Sequence, residues 1–91
     1  MKYVLRYRST NFDPAAARAV FPAHQAHYQG FFEAGTLLLL GPITEPPGAA
    51  MAVFTSRDAA ESFAAADPFV LRGVVSDWAI EEWREVLQPP P

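Results

Sequence analysis

Proline and glycine set the length of every element this chain can build. The breaks fall at Asp13-Pro14, Pro22, Gly35, Gly41-Pro42, Pro46-Pro47-Gly48, Asp67-Pro68 and Gly73, and the hydrophobic period changes between them. Tyr3 to Arg8 alternates, with Tyr3, Leu5 and Tyr7 on one face and Val4, Arg6 and Arg8 on the other, which predicts a first strand. Asp13-Pro14 is a helix start, with Asp as N-cap and Pro at the first helical position. The alanine-rich run Ala15 to Val20 continues that helix as far as Pro22, which removes a hydrogen bond and clashes with the preceding turn. Either the helix kinks there, or a second helix starts at Pro22 and runs to about Ala34, with Gly35 as its stop.

The second half follows by the same logic. Thr36 to Ile43 predicts a strand whose Gly41-Pro42 end marks an edge or a bulge, because proline cannot donate to a central ladder. Thr44 to Ala49 is a turn by composition. Met51 to Thr55 returns as a third strand, in a hairpin with the second. Ser56 caps a helix from Arg57 to about Ala66, and Asp67-Pro68 ends it, since a residue before proline avoids the helical region. Phe69 to Gly73 is a short helical turn. Val74 to about Val86 is the last strand, with Trp78 and Ile80 on one face and Trp83 on the other.

Strand, helix, strand, strand, helix, strand is the ferredoxin-like βαββαβ order. It predicts an α+β fold: a four-stranded antiparallel sheet with helices on one face. The 91 residues make a single domain over residues 1–88, followed by a proline tail at 89–91. Leu37, Leu38, Leu39 and Leu40 do not alternate, so the second strand is apolar on both faces. A second copy of the sheet is the simplest cover, and a homodimer is expected.

Composition removes several functions. Hydrophobic residues make up 51% of the chain, which argues against disorder. A net charge of −3 without any Lys/Arg cluster argues against nucleic-acid binding. With no cysteine there is no disulfide, no thiolate nucleophile and no cysteine-held metal. The Leu37–Leu40 run is far too short to span a bilayer, and a soluble cytoplasmic domain is expected. Gly-x-Ser-x-Gly, the phosphate loop and the dinucleotide fingerprint are all missing, so no cofactor is expected.

Acid–base chemistry fits what is left. His24, His27, Tyr28 and Phe31 recur at i, i+3, i+4 and i+7 and share a helix face. A helix starting at Pro22 would put His24 at its positive end, which favours neutral imidazole. The His24–His27 spacing also fits a metal, but carboxylate ligands would have to come from elsewhere. Asp67 reads locally as the cap of the short helix after Pro68. Its alternative role is to orient His24 as a carboxylate.

Phe21-Pro22-Ala23-His24, Phe32-Glu33-Ala34-Gly35, Leu40-Gly41-Pro42, Ala66-Asp67-Pro68-Phe69, Gly73 and Ile80-Glu81-Glu82-Trp83 form an ordered series. This series resembles the YCII-related (YciI-like) family over nearly the whole chain. The resemblance implies a fold of the dimeric α/β-barrel type and a histidine–aspartate catalytic pair, which maps onto His24 and Asp67. Some members are linked to breakdown of aromatic compounds, including removal of halide. An arginine often found near the position of Phe21 is absent here, so only the histidine and aspartate are carried over.

The expected function is a small cofactor-independent enzyme of lyase or isomerase type, acting on a small organic, aromatic or enolisable molecule. Arg6, Tyr7, Tyr28, Phe31 and Trp78 are the expected substrate-binding residues, and no metal is assigned. The alternative is a non-catalytic homodimeric ligand-binding module. One obstacle is geometric. Both long helices are expected to run side by side in the same sense, which puts His24 roughly 15 Å of helix away from Asp67, so that a kink, a long loop or a dimer contact must bring them together.

Overall fold

The computed structural model describes residues 1–91. Its elements are β1 (Lys2–Arg8), α1 (Pro14–Glu33), β2 (Leu37–Pro42), β3 (Ala50–Phe54), α2 (Arg57–Ala66), α3 (Pro68–Leu71) and β4 (Asp77–Trp83). The strands form one sheet in the order β2-β3-β1-β4, antiparallel at every pairing. This is the ferredoxin-like α+β arrangement expected from the element order.

Of the two readings of Pro22, the structure shows the continuous one and not a second helix starting there. The first helix runs from Pro14 to Glu33 with Pro22 inside it. Arg18 and Pro22 both lie on the exposed side of the helix, so water can meet the carbonyl that the proline leaves without a donor. The start follows the sequence: the Asp13 carboxylate accepts the backbone N–H groups of Ala15 at 3.0 Å and Ala16 at 3.4 Å. Gly35, at φ 81°, turns the chain out of the helix. His24 therefore sits in the third turn of a long helix, and the expected helix-end dipole at its ring does not exist.

A second correction concerns direction. Because β1 and β3 are antiparallel, the helices that return from them run in opposite senses. The end of α2 lies beside the middle of α1, at His24, not beside its end. The assumption of equal sense, which separated His24 from Asp67, fails.

A bulge in β2 explains the unalternating leucines. Leu37 pairs with Phe54 and Leu39 with Val53, with a register shift between them. Leu37 and Leu40 consequently share the helix-covered face, while Leu39 joins Val53 on the free face. There Val4 and Val53 are nearly sealed by their neighbours, whereas Leu39 is 68% and Trp83 52% exposed.

The core fills the space between sheet and helices. Phe54 and Phe63 are fully buried, with ring centroids 5.2 Å apart, and Phe31 meets Phe63 edge-on at 5.2 Å. Ala60 and Ala64 are also fully buried; their small side chains let α2 settle close to the sheet. Burying one large aromatic at the centre of so small a core dominates its packing. Phe63→Ala is expected to cost about 3–5 kcal/mol, measured by urea unfolding. A loss of less than about 1 kcal/mol would contradict this packing.

Candidate active site

Asp67 stands between α2 and α3 with extended backbone at φ −68° and ψ 125°. It is fully buried, yet each carboxylate oxygen is used. Oδ1 accepts the backbone N–H of Phe69 at 3.0 Å, which caps α3. The same oxygen accepts Nδ1–H of His24 at 2.7 Å. Oδ2 accepts the Tyr7 hydroxyl at 2.7 Å. The two sequence-based roles for this residue, helix cap and histidine partner, are thus both geometrically present in one carboxylate.

The helix directions account for the meeting. His24 on α1 reaches Asp67, while His27, one turn later on α1, donates from Nε2 to the carbonyl of Phe63, one turn earlier on α2, at 2.9 Å. As the α1 number rises, the α2 number falls, as antiparallel helices require. The two imidazoles are committed to different partners, one just past the end of α2 and one within it. No three His, Cys, Asp or Glu side chains gather into a cluster suited to a metal ion.

Burial alone would raise the Asp67 carboxyl. The hydrogen bonds from His24, Tyr7 and the Phe69 N–H outweigh it and hold the group below the ordinary aspartate value. Tyr7 moves the other way. Burial first, then its bond to Asp67 and that residue's negative charge, push its hydroxyl far above the ordinary tyrosine value. An ionised Asp67 fixes the His24 proton on Nδ1. No protein group bonds Nε2, and no buried side-chain nitrogen or oxygen lacks a partner, so Nε2 opens to accessible space.

That space is a cavity of about 410 Å³. Leu5, Ala50 and Ala52 form its sheet wall, Phe21 and Tyr28 its α1 wall, with Phe69 from α3 and Phe12 and Gly48 from the loops. Phe69 stacks on the His24 ring at 3.8 Å and 2°, and Tyr28 meets the ring edge-on at 5.2 Å. These contacts fix the imidazole plane. Gly48, at φ 85°, leaves room for Phe12: a Cβ there would lie 2.7 Å from its ring. The lining includes no Arg, Lys, Asp or Glu; His24, Tyr7 and Tyr28 carry its polar side-chain groups.

Of the residues expected around a substrate, Tyr7 and Tyr28 line this cavity and three others do not. Arg6 projects from the opposite face of β1, where its Nε lies 2.8 Å from Glu81. The strand alternation that separates it from Tyr7 also separates it from the cavity. Phe31 packs into the core against Phe54 and Phe63, and Trp78 pairs with Tyr7 on β4 but stays 37% exposed outside the lining. Sequence reasoning missed Phe12, Phe21 and Phe69. Phe21 lies three residues before His24, a helical neighbour, and Phe69 follows Asp67-Pro68; both signals were available.

The YCII-related domain family matches residues 1–84. Protein YciI of Escherichia coli O6:H1 and that of Shigella flexneri are each 35% identical over 99 residues, covering 96% of this chain and 100% of theirs. Among solved structures, 5-chloro-2-hydroxyhydroquinone dehydrochlorinase of Burkholderia phenoliruptrix, in complex with 2,5-dihydroxybenzoquinone, superposes with a TM-score of 0.74. The match covers 92% of this chain and 94% of that one at 18% sequence identity, which demonstrates a shared fold.

Asp67→Asn puts an amide where three donors converge, and a cost of about 3–5 kcal/mol at neutral pH is expected. Because the folded carboxyl titrates below its unfolded value of ~3.9, its contribution is complete above that pH. It disappears as pH falls through the lower folded value. Urea unfolding of both proteins from neutral pH to pH ~2 is expected to show the gap between them closing only in that acid window. A gap constant across the range would contradict the ionised state of Asp67.

Proposed function

The chain belongs to the YCII-related domain family, and from that premise we propose that it is an acid–base enzyme of lyase or isomerase type, acting without a cofactor on a small, uncharged, hydroxylated aromatic or enolisable molecule. The observation that carries this is the His24–Asp67 bond beneath an apolar cavity, with Nε2 of His24 free to meet a ligand. Asp67 holds the proton on Nδ1, so Nε2 presents a lone pair. A ligand O–H or activated C–H at hydrogen-bond distance gives up its proton there. The imidazolium that forms faces a buried carboxylate, which stabilises it. Return of the proton to another ligand atom completes an isomerisation. Expulsion of a leaving group by the released electron pair completes an elimination, with the proton left on His24.

The cavity walls argue for the ligand class. An anionic substrate entering an apolar site without a counter-charge loses hydration without replacement, and no cationic side chain faces this cavity. A volume of about 410 Å³ suits one substituted ring. The dehydrochlorinase of the same fold acts on a chlorinated hydroxyhydroquinone, which supports an aromatic diol or triol as the first class to test. The lack of cysteine suits a reducing, cytoplasmic setting. A homodimer through the free sheet face is supported by exposed Leu39 and Trp83 flanking Val53 and Val4.

A panel of hydroxyhydroquinones, catechols and their carboxylated analogues tests the reading by absorbance-monitored turnover. The neutral compounds are expected to react and the carboxylated ones to be excluded. His24→Ala is expected to lower kcat by about 10²–10⁴-fold. Binding of the neutral compounds without turnover would instead support a non-catalytic ligand-binding module. For assembly, light scattering is expected to give twice the chain mass for the wild type and a shift toward monomer for Leu39→Asp.

A further inference from the structure

Tyr7 offers the cavity less than its position suggests. Its ring is part of the wall, but its hydroxyl proton is given to Oδ2 of Asp67 at 2.7 Å. Burial and the adjacent carboxylate keep that hydroxyl protonated, so it is a permanent donor and takes no part in proton exchange with a ligand. Its partner is the unusual element. Asp67 is fully buried, and its other oxygen is divided between the Phe69 N–H and His24. Without the tyrosine, Oδ2 would be a buried, charged acceptor with no donor. The carboxylate would then gain by turning about its Cβ–Cγ bond to share both oxygens with the donors that remain.

We infer that Tyr7 is a positioning residue for the reaction: its hydroxyl pins the Asp67 carboxylate so that a single oxygen meets His24 Nδ1, and thereby holds the imidazole in the tautomer that presents Nε2 to the cavity. The inference rests on the role given above to His24. The groups facing His24 are consistent with it. From β1 comes Tyr7, indirectly through Asp67; from the α2–α3 junction, Asp67 itself; from α3, Phe69; and from α1, Tyr28 and Phe21. Asp67 is the only formal charge among them, so the orientation of this one carboxylate decides the tautomer. The arrangement ties β1 to α1 through two hydrogen bonds, and the strand end thus reports on the position of the helix residue that does the chemistry.

Tyr7→Phe removes the hydroxyl and keeps the ring that walls the cavity. With uniformly ¹⁵N-labelled protein and no ligand, the wild type is expected to show one Nδ1–H tautomer for His24, with a protected Nδ1 proton. In Tyr7→Phe the ¹⁵N shifts are expected to report mixed tautomers and a Nδ1 proton that exchanges at least tenfold faster. With a turned-over substrate, kcat is expected to fall about tenfold, the scale of one hydrogen bond to a charged group, while KM changes less than twofold. Unchanged ¹⁵N shifts in a folded Tyr7→Phe protein would overturn the inference, as would an equal loss in kcat and rise in KM. Should that variant fail to fold, the wild type alone decides. A Tyr7 hydroxyl proton that is slow to exchange and coupled through the hydrogen bond to Asp67 ¹³Cγ supports the role, and one that exchanges as fast as that of Tyr28 refutes it. The spectra need no substrate, so a failure to find turnover counts against the proposed enzyme and leaves the tautomer result to stand or fall by itself.

Discussion

A buried carboxylate governs this small domain. Removing an unpaired charge from water costs several kcal/mol even after relaxation, so Asp67 can be fully buried only if donors reach it from every side. They come from three separate places: the end of β1 through Tyr7, the middle of α1 through His24, and the first turn of α3 through Phe69. One carboxylate thus joins three separate elements by directional contacts. Hydrophobic packing by Phe31, Phe54 and Phe63 supplies the bulk of the cohesion on the same sheet face, but apolar contacts are not directional; the directional links between α1 and α2 are the His24–Asp67 and His27–Phe63 hydrogen bonds.

Holding the site in this way has consequences for the rest of the fold. A 91-residue chain has little core to spare, yet a cavity of about 410 Å³ opens beside its helices and sheet. The same volume filled by side chains would add apolar burial. Retaining an open, apolar space above a charged and hydrogen-bonded pair runs against stability, and such departures concentrate where a protein acts on a ligand. Elsewhere the layer is closed, with Ala60, Phe63 and Ala64 of α2 fully buried against the sheet.

Much of this was legible in the sequence because the breaks were strong and local. Ser56 and Asp67-Pro68 bound α2 at the residues expected, Gly35 ended α1, and the element order led to the four-stranded antiparallel sheet. Pro22 misled because a proline on the solvent side of a long helix loses one bond and leaves nineteen other residues to hold the helix. The β2 bulge was hidden because four leucines in a row carry no period. The antiparallel pairing of β1 and β3 by itself requires the helices that follow them to run in opposite senses, so the meeting of His24 and Asp67 is implicit in an antiparallel sheet of this element order. Arg6 shows the limit of residue type as a guide: an arginine beside a cavity residue lies by alternation on the opposite face of the sheet. Phe31 shows the limit of a shared helix face, because one stripe of α1 serves the cavity at His24 and Tyr28 and the core one turn later.

Asp67-Pro68-Phe69 explains why so short a motif can carry so much. Proline at the first helical position fixes its own φ and has no N–H to satisfy, so the aspartate before it is held extended and aimed along the new helix. The first free backbone donor is then that of Phe69, and Asp67 Oδ1 takes it. Capping the turn in this way places the phenylalanine ring parallel to the imidazole that the same oxygen holds, 3.8 Å away. One residue thus supplies the histidine's hydrogen-bond partner, and the residue two positions later supplies the surface on which the ring lies. The helix cap and the candidate site are one structure, which is why a stretch that can be read entirely as a helix stop can also orient a histidine.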